Sequence, residues 1–161
     1  MILSMIAAVG KNRELGQGHL LPWDIPEDMK YFQDTTRGHV VLMGEKTYRA
    51  IGKPLPQRTN IVLTHERTFS EPGVLVAHTP EEALDLMHTY EKNGEAFVIG
   101  GASVYTLFLE EAKRLYLTLI DKEFPDADIF FPEYESVFYR IVKERKSGDD
   151  TFSYRFVVFE K

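Results

Sequence analysis

A carboxylate near the N-terminus lies in an apolar setting. In the segment LLPWDIPEDMKYF, Asp24 and Glu27 have the spacing of a capping box and Pro26 suits a first helical turn, so a helix is predicted to begin here. Asp28 and Phe32 then share one face of that helix, and Phe32 favours burial of the face. Asp28 is therefore either a first-turn carboxylate stabilised by the helix dipole or a buried anion that binds a cationic or amidine-like group of a ligand.

Several predicted strands end in residues that can bind phosphate. These strand ends carry glycine, hydroxyl-bearing or basic residues: Gly44, Lys46, Thr47, Thr64, His65, Arg67, His78, Gly100 and Gly101. Ligands of open α/β sheets bind beyond the carboxyl ends of the strands, where helix starts and exposed amides can hold phosphate oxygens. Together the strand ends predict an extended ligand with several phosphates, such as a dinucleotide. Each feature also has a simpler explanation. A glycine pair before a helix is typical of tight packing, and residues such as His65 and Arg67 are typical of an ordinary protein surface.

The connection between the first predicted strand and the first predicted helix is long. Residues 10–23 include Gly16 and Gly18, which give the backbone wide conformational freedom. Loops of more than about 12 residues are usually functional or disordered. We interpret this segment as a mobile lid over a site, with a plain surface loop as the alternative.

Alternating strands and helices must position these residues. Short apolar, β-branched segments predict eight strands: ILSMIAAV, HVVLM, NIVLT, VLVAH, AFVIG, LYLTLI, FYRIVKE and YRFVVFE. Four helices are predicted between them: DIPEDMKYFQDT, GEKTYRAIG, TPEEALDLMHTYEKNG and ASVYTLFLEEA. The third has a capping box of Thr79 and Glu82, with Pro80 at its start. Because strands alone follow the last helix, we expect an α/β fold with a mostly parallel sheet and an antiparallel C-terminal edge, in one domain over residues 1–161.

The bulk composition excludes several classes of protein. The 161 residues carry a formal net charge of −6, which argues against a nucleic-acid partner because binding to the phosphate backbone needs clustered cations. The chain has no cysteines, which excludes disulfides and thiolate metal sites and fits a cytoplasmic location. The five histidines lack helical ligand spacing, so no metal site is expected. The apolar start MILSMIAAVG lacks a basic leader and predicts a strand rather than a signal peptide, and no apolar run approaches the roughly 20 residues of a membrane span.

Five segments make the sequence resemble dihydrofolate reductase, in its small bacterial single-domain form. The segments are LPWDIPEDMKYF, VVLMGEKTY, IGKPLPQRTNIVLT, FVIGGASVY and LYLTLID, and they occur in the order and approximate spacing of that family. The resemblance covers the chain from Met1 to its last strand. It implies reduction of 7,8-dihydrofolate to 5,6,7,8-tetrahydrofolate with hydride from NADPH. The fold that it implies is an eight-stranded, mostly parallel mixed sheet with an antiparallel C-terminal edge, flanked by four helices.

The resemblance also implies how the carboxylate in the apolar setting acts. Asp28 matches the family's ionisable side chain near the pterin, where it would bind the 2-amino group and N3 and favour protonation at N5 through water. Thr118 would support Asp28 through a hydrogen bond, and Trp23 would hold an ordered water nearby. Leu21 completes the implied catalytic set, at the end of a mobile lid over residues 15–21 that closes on the nicotinamide.

The resemblance also implies, by position in the matching segments, which residues bind the substrate and which bind the cofactor. Those implied to bind substrate are Ile6, Ala7, Asp28, Phe32, Ile51, Lys53, Leu55, Arg58 and Thr118, with Arg58 on the α-carboxylate of the glutamate tail. Those implied to bind NADPH are Ala8, Leu15, Gly16, Gln17, Gly18, His19, Leu20, Gly44, Lys46, Thr47, Thr64, His65, Arg67, His78, Ile99, Gly100, Gly101, Ala102, Ser103, Val104 and Tyr105. By the same resemblance, the peptide bond between the paired glycines is expected to be cis.

Three positions depart from the family pattern. Glu45 stands where Arg or Lys is usual beside the 2′-phosphate of the cofactor, Leu21 where Met is frequent, and Ala127 where Gly is common. Glu45 either opposes that phosphate or points away from it and pairs with Arg49, its i+4 neighbour. The first case would weaken the preference for NADPH over NADH.

Two other functions are compatible with the sequence: a reductase of another pterin or a pyrimidine, and a non-catalytic nucleotide-binding module. Arg58 argues against the former, because a substrate without the glutamate tail would not need it. A monomer that binds dihydrofolate, without nucleic-acid, membrane or metal partners, is the expected state.

Overall fold

An eight-stranded sheet forms the centre of the computed structural model, which describes residues 1–16 and 21–161. The strands are β1 (Ile2–Val9), β2 (Glu14–Gly16), β3 (Val40–Gly44), β4 (Thr59–Leu63), β5 (Val74–Ala77), β6 (Glu95–Gly100), β7 (Arg114–Ile120), β8 (Ile129–Phe130), β9 (Arg140–Gly148) and β10 (Ser153–Glu160). The helices are α1 (Pro26–Thr36), α2 (Glu45–Ile51), α3 (Pro80–Tyr90) and α4 (Ala102–Phe108).

The strand order across the sheet is β5-β4-β3-β6-β1-β7-β10-β9. All pairs from β5 to β7 are parallel, while β10 is antiparallel to both β7 and β9. The predicted α/β fold, with its mostly parallel sheet and antiparallel C-terminal edge, is therefore confirmed. The carboxyl ends of six parallel strands meet at one edge of this sheet, which is where ligands of such folds bind.

Apolar side chains pack on both faces of the sheet. On β1, Leu3 and Met5 belong to one core together with Phe108 of α4, whereas Ile6 belongs to a second core together with Tyr48 of α2. Full burial of one such side chain stabilises the folded state by about 1.5–3 kcal/mol. The two covered faces explain why the sequences of the central strands are almost continuously apolar.

The two predicted capping boxes have different outcomes. At the start of α3, Thr79 Oγ1 accepts a hydrogen bond from the Glu82 N–H at 3.1 Å, and Pro80 is the first helical residue. The capping box predicted for α1 is wrong, because its N-cap is Ile25 and no side chain caps the helix. Glu27 instead accepts hydrogen bonds from three side chains of β9 and β10, which outcompete a single backbone amide.

Two short strands lie outside the main sheet, and the sequence pattern does not predict them. β2 pairs antiparallel with β8, with Glu14 opposite Phe130 and Gly16 opposite Ile129. With three and two residues, these strands are too short for a hydrophobic period to be recognised. Leu15 and Gly16, predicted to begin the lid, thus lie in β2, whereas residues 17–20 of the predicted lid lie outside the described residues.

The helices are short, and α4 is shorter than predicted. It ends at Phe108 rather than at Ala112, and in the turn that follows, the N–H groups of Glu111 and Ala112 both donate to the Phe108 carbonyl, at 3.2 and 3.0 Å. The longer helices, α1 and α3, have 11 residues each. Within the described ranges, no helix is long and apolar enough to cross a membrane.

Candidate active site

A cavity of about 1180 Å³ opens along the carboxyl ends of the parallel strands. Gly44 ends β3 and Gly100 ends β6, and both line the cavity, as do Ala8 of β1 and His78 after β5. The topology places the cavity here, because these strands all point to the same edge of the sheet. Its wall combines many apolar side chains with a few polar groups, which is typical of small-molecule sites.

Asp28 lies in the wall of this cavity, in the first turn of α1. Its Oδ1 accepts a hydrogen bond from Thr118 Oγ1 of β7, 2.6 Å away. Burial raises the pKa of Asp28 above its ordinary value, although the Thr118 hydrogen bond acts in the opposite direction, and the charge of Glu27 raises this pKa further. This geometry favours the buried-anion interpretation over an exposed first-turn carboxylate.

The surroundings of Asp28 suit a flat ring. Phe32 lies one helical turn further along α1, and Ile6 and Leu55 line the same cavity. Tyr31 also contributes to the wall and has a raised pKa because it is largely buried, so its hydroxyl stays neutral. A carboxylate between apolar side chains can accept two parallel hydrogen bonds from an amidine-like edge of a heteroaromatic ring.

Asp28→Asn is expected to raise the melting temperature of the ligand-free protein at pH 7. Because the pKa is raised, the folded protein binds the Asp28 proton more tightly than the unfolded chain does. The stability from this group is therefore fully present below its ordinary pKa of 3.8 and is lost as the pH rises through the raised value. Removing the charge should raise Tm by about 2–5 °C at pH 7, as a typical stabilising substitution does.

Thermal unfolding at pH 7 and at pH 3 measures this effect, and the difference should vanish at the lower pH. Asp34→Asn is the matched control, because Asp34 lies on the exposed side of the same helix and its hydrogen bond with Lys30 lowers its pKa. The control should not raise Tm. A lower Tm for Asp28→Asn at pH 7 would contradict the prediction.

The peptide bond between Gly100 and Gly101 is cis, as the family resemblance leads us to expect. A Cβ on Gly100 would lie 3.4 Å from the Tyr105 hydroxyl, and one on Gly101 would lie 3.3 Å from Thr47 Oγ1. Gly100 also has φ +129°, which other residues rarely adopt. The backbones of both glycines are therefore not covered by side chains in the cavity wall, where they lie beside the Thr47 hydroxyl and Lys46. Backbone amides, a hydroxyl and a cation form a donor set that fits a pyrophosphate.

Glu45 lines the cavity near the ends of β3 and β4, and its carboxylate has two partners. Thr64 Oγ1 donates to Oε1 at 2.6 Å, and Arg49 Nε donates to Oε2 at 2.7 Å. The hydrogen bonds from Thr64 and then Arg49 lower the pKa of Glu45, so the carboxylate is charged at neutral pH. The predicted pairing with Arg49 is present, yet the side chain also lines the cavity together with His65. A ligand group that reaches Thr64 and His65 meets this negative charge.

Arg58 is held in place by two hydrogen bonds. Its Nε donates to the Pro56 carbonyl at 2.9 Å, and its Nη1 donates to Thr36 Oγ1 at 3.2 Å. Partial burial, followed by the nearby Arg37 charge, lowers the pKa of Arg58. These bonds use the Nε–H and one Nη1 N–H, so the second Nη1 N–H and both Nη2 N–H groups remain to bind a carboxylate.

Asn60 braces the loop that carries Arg58, and the sequence analysis missed this residue. Its buried amide donates to the carbonyls of Leu55 at 2.9 Å and Arg58 at 3.1 Å, and its Oδ1 accepts from the Leu55 N–H at 2.9 Å. Leu55 itself lines the cavity. A polar residue at the start of the apolar segment NIVLT was the available signal.

Trp23 lies just before α1 and is buried. Its ring packs against Phe124 with 5.2 Å between ring centroids. Its Nε1 has no hydrogen-bond partner among the described residues. Since buried indole N–H groups usually have a partner, and water often supplies it, Trp23 fits the expected role of holding an ordered water.

Most of the predicted site residues line the cavity. They are Ile6, Ala7, Ala8, Leu15, Gly16, Leu21, Asp28, Phe32, Gly44, Lys46, Thr47, Ile51, Leu55, Thr64, His65, His78, Ile99, Gly100, Gly101, Ala102, Ser103, Val104 and Tyr105. Those outside its wall are Trp23, Lys53, Arg58, Arg67 and Thr118, of which Thr118 contacts Asp28. Gln17, Gly18, His19 and Leu20 lie outside the described residues.

The wall also contains residues that the sequence analysis did not assign to the site. They are Met29, Tyr31, Ala50, Leu63, Glu66, Pro80, Leu107 and Ile129. Met29 and Tyr31 lie on α1 close to Asp28, where helical spacing from an assigned residue was the available signal. Ile129 belongs to β8, and the pairing of β2 with β8 helps to bring it to the cavity.

Comparisons with known proteins agree on one family. The sequence model of the family described as dihydrofolate reductase matches residues 2–161. The dihydrofolate reductase of Bacillus subtilis (strain 168) is 38% identical over 163 residues, which cover 99% of this chain and 95% of that protein. Dihydrofolate reductase type 3 of Salmonella typhimurium is 38% identical over 155 residues, with coverage of 96% and 93%. A solved structure, dihydrofolate reductase from Enterococcus faecalis complexed with NADP(H) and RAB-propyl, matches with a TM-score of 0.90 and 32% identity, and covers 99% of this chain and 95% of that chain.

Proposed function

The chain belongs to the dihydrofolate reductase family, and from this premise we infer that it reduces 7,8-dihydrofolate to 5,6,7,8-tetrahydrofolate with NADPH, for one-carbon metabolism. The observation that supports this function best is the Asp28 carboxylate, held by Thr118 in an apolar cavity. The cavity volume of about 1180 Å³ exceeds that of most single-ligand pockets, which suits a pterin and a dinucleotide together.

Asp28 orients the pterin and makes it easier to protonate. Its carboxylate accepts hydrogen bonds from the 2-amino group and N3–H of the ring, a charge-assisted pair that fixes the ring in the cavity. Thr118 Oγ1, 2.6 Å from Oδ1, holds the carboxylate in this orientation. The negative charge also raises the proton affinity of the pterin, so it favours the proton at N5 that the reduction requires.

The proton reaches N5 through water. Trp23 Nε1 is a buried donor just before α1, and an ordered water bound to it would pass the proton to the pterin. Leu21, at the start of the described segment that leads to α1, lines the cavity and would limit the access of bulk water.

The strand ends would hold the cofactor. When bound, NADPH supplies the hydride. The backbones of Gly100 and Gly101, together with Lys46 and the Thr47 hydroxyl, would bind its pyrophosphate, since they form a bare donor-rich wall. His65, which lines the cavity, and Arg67, two residues on, are the groups available for its 2′-phosphate.

One assay separates this function from the alternatives. Purified protein with dihydrofolate and NADPH should consume NADPH, as followed by its absorbance, and should do so more slowly with a pterin that lacks the glutamate tail. A reductase of another pterin would use both substrates alike or prefer the one without the tail. A nucleotide-binding module would bind NADPH without consuming it. Either of these results would refute the proposed function.

Glu45→Arg is expected to raise the preference for NADPH over NADH by about 5- to 10-fold in the ratio of their kcat/KM values. The wild-type carboxylate is charged and faces the part of the cavity that Thr64 and His65 line, so it repels a 2′-phosphate placed there. Steady-state kinetics with both cofactors measures the ratio. Glu45→Gln keeps the shape of the side chain without its charge, so it should raise the ratio of the kcat/KM values for NADPH and NADH by a smaller factor. If neither variant changes the ratio, Glu45 does not oppose the phosphate.

We further propose that the protein is a cytoplasmic monomer, with a single domain over residues 1–161 and no nucleic-acid partner. The formal net charge of −6 argues against a nucleic-acid partner, the lack of cysteines fits the cytoplasm, and the two main cores on one sheet fit a single domain. They stay predictions.

A further inference from the structure

Glu27, the residue before Asp28, binds side chains from the other end of the chain. Tyr154 Oη of β10 donates to Oε1 at 2.7 Å, and Ser147 Oγ of β9 donates to the same oxygen at 2.5 Å. Arg145 Nη1 of β9 donates to Oε2 at 3.0 Å. These hydrogen bonds, with that of Ser147 as the largest cause, lower the pKa of Glu27 to about 2. The first turn of α1 is thus tied to the β9–β10 hairpin by a carboxylate that is charged at neutral pH.

The same hairpin also packs beneath the residues that hold Asp28. Phe156 of β10 lies opposite Thr118 in the strand register. The Phe156 ring packs against Tyr31 of α1 with 4.4 Å between centroids, and the Arg145 guanidinium lies 4.5 Å from the Phe156 centroid. Arg145 and Tyr31 thus both pack on Phe156, which links the hairpin to the helix.

We propose that Glu27 is a positioning residue: it fastens the first turn of α1 to the β9–β10 hairpin and so sets the place and the electrostatic surroundings of the Asp28 carboxylate. The inference rests on the proposed function, in which Asp28 meets the pterin. Among the described residues, Asp28 lines the cavity and Glu27 does not, so Glu27 acts through its neighbour. Because α1 has no side-chain cap at Ile25, the contacts of Glu27 take the place of a cap in holding this helix start.

One charge acts on Asp28 through this contact, and an opposite charge acts on its source, Glu27. Glu27 raises the pKa of Asp28, and Arg145, which faces Glu27 from β9, partly cancels the charge of Glu27. The other titratable or hydrogen-bonding groups around the two carboxylates are Tyr31 of α1, Tyr105 of α4, Thr118 of β7, Ser147 of β9 and Tyr154 of β10. Burial raises the pKa of each of these three tyrosines, which are therefore neutral at pH 7. Glu27 is therefore the charged neighbour that acts on Asp28, and Arg145 acts on it through Glu27.

The test uses variants whose effects have opposite signs. Glu27→Gln keeps the side-chain shape and should lower the apparent pKa of the pH profile of kcat/KM by roughly 0.3–1 unit, which is a 2- to 10-fold loss of kcat/KM on its alkaline side. Arg145→Gln should raise the same apparent pKa, and the double variant should return towards the wild-type value. Glu144→Gln is the matched control, because Glu144 also pairs with an arginine of the hairpin, Arg155, and should change nothing.

A second readout does not depend on activity. The carboxyl ¹³C resonance of Asp28, titrated by NMR in the ligand-free protein, should shift its midpoint down in Glu27→Gln and up in Arg145→Gln. A merely structural anchor would lower Tm in both variants and leave the Asp28 midpoint unchanged or move it in one direction, and that result would overturn the inference. If Glu27→Gln does not fold, Arg145→Gln still tests the inference, because it retains Glu27. A wild-type protein that fails to oxidise NADPH would instead refute the proposed function.

Discussion

Asp28→Asn is expected to lower kcat/KM for dihydrofolate at pH 7 by about 100- to 10,000-fold, the range typical of a lost proton-transfer group. The substitution removes the charge that favours a proton on the pterin. It keeps the shape of the side chain, and Thr118 Oγ1, now 2.6 Å from Oδ1, can still donate to the new amide oxygen. The loss should therefore come from the missing charge and not from a displaced helix.

Steady-state kinetics between pH 5 and pH 8 tests this prediction. Residual activity should rise as the pH falls, because dihydrofolate that is already protonated in solution does not need the carboxylate. Thr118→Val is the control, since it keeps the charge and removes only the supporting hydrogen bond, and its loss should be smaller. A variant with near-wild-type kcat/KM at pH 7 would refute the assignment of Asp28.

Arg58→Ala is expected to weaken dihydrofolate binding by about 10- to 100-fold and to change kcat much less. A charge-assisted hydrogen bond contributes about 1.5–3 kcal/mol to binding, which corresponds to this range. Arg58 is suited to the role because its bonds to Pro56 and Thr36 hold the guanidinium before the ligand arrives, which reduces the entropy lost on binding. The dissociation constant from fluorescence titration measures the effect.

Two controls separate a tail anchor from a general loss of structure. Lys53→Ala removes an exposed cation from the same region and should weaken binding less. A pterin without the glutamate tail should bind the wild type and Arg58→Ala equally well, because it has no carboxylate for Arg58. An unchanged dissociation constant for dihydrofolate in Arg58→Ala would show that another group binds the tail.

The two effects predicted for Asp28→Asn have opposite signs and one cause. The carboxylate lies in an apolar wall, where its charge is poorly solvated without a ligand and where burial raises its pKa. In the proposed function, the ligand-free protein would lose stability by keeping the charge there, and the reaction would gain a charge close to the pterin. Gains in stability at the expense of activity are typical of functional sites.

Much of the fold could be predicted from local patterns. The eight apolar segments became the eight strands of the main sheet, and the four helical segments became the four helices, because hydrophobic period and capping signals extend over only a few residues. The short strands β2 and β8 could not be predicted in this way. Their pairing joins residues that are distant in the sequence, and neither strand is long enough to show a period.

The site shows the same division between local and distant information. The sequence by itself determined that Asp28 shares a helical face with Phe32, that glycines end two of the strands, and that Glu45 can pair with Arg49 at i+4, since helix and strand geometry dictate these relations. Only the tertiary structure decided which partners the carboxylates took. Glu45 also binds Thr64, which directly follows the neighbouring strand β4.

Glu27 is the clearest case, because a correct local spacing led to a wrong prediction. Its distance from Asp24 suited a capping box, but the folded chain brought Arg145, Ser147 and Tyr154 to its carboxylate from more than a hundred residues away. Three donors, one of them charged, stabilise a carboxylate more than one backbone amide does. Spacing in the sequence shows which hydrogen bonds are possible within a helix, whereas the packed structure decides among all the donors that reach the same group.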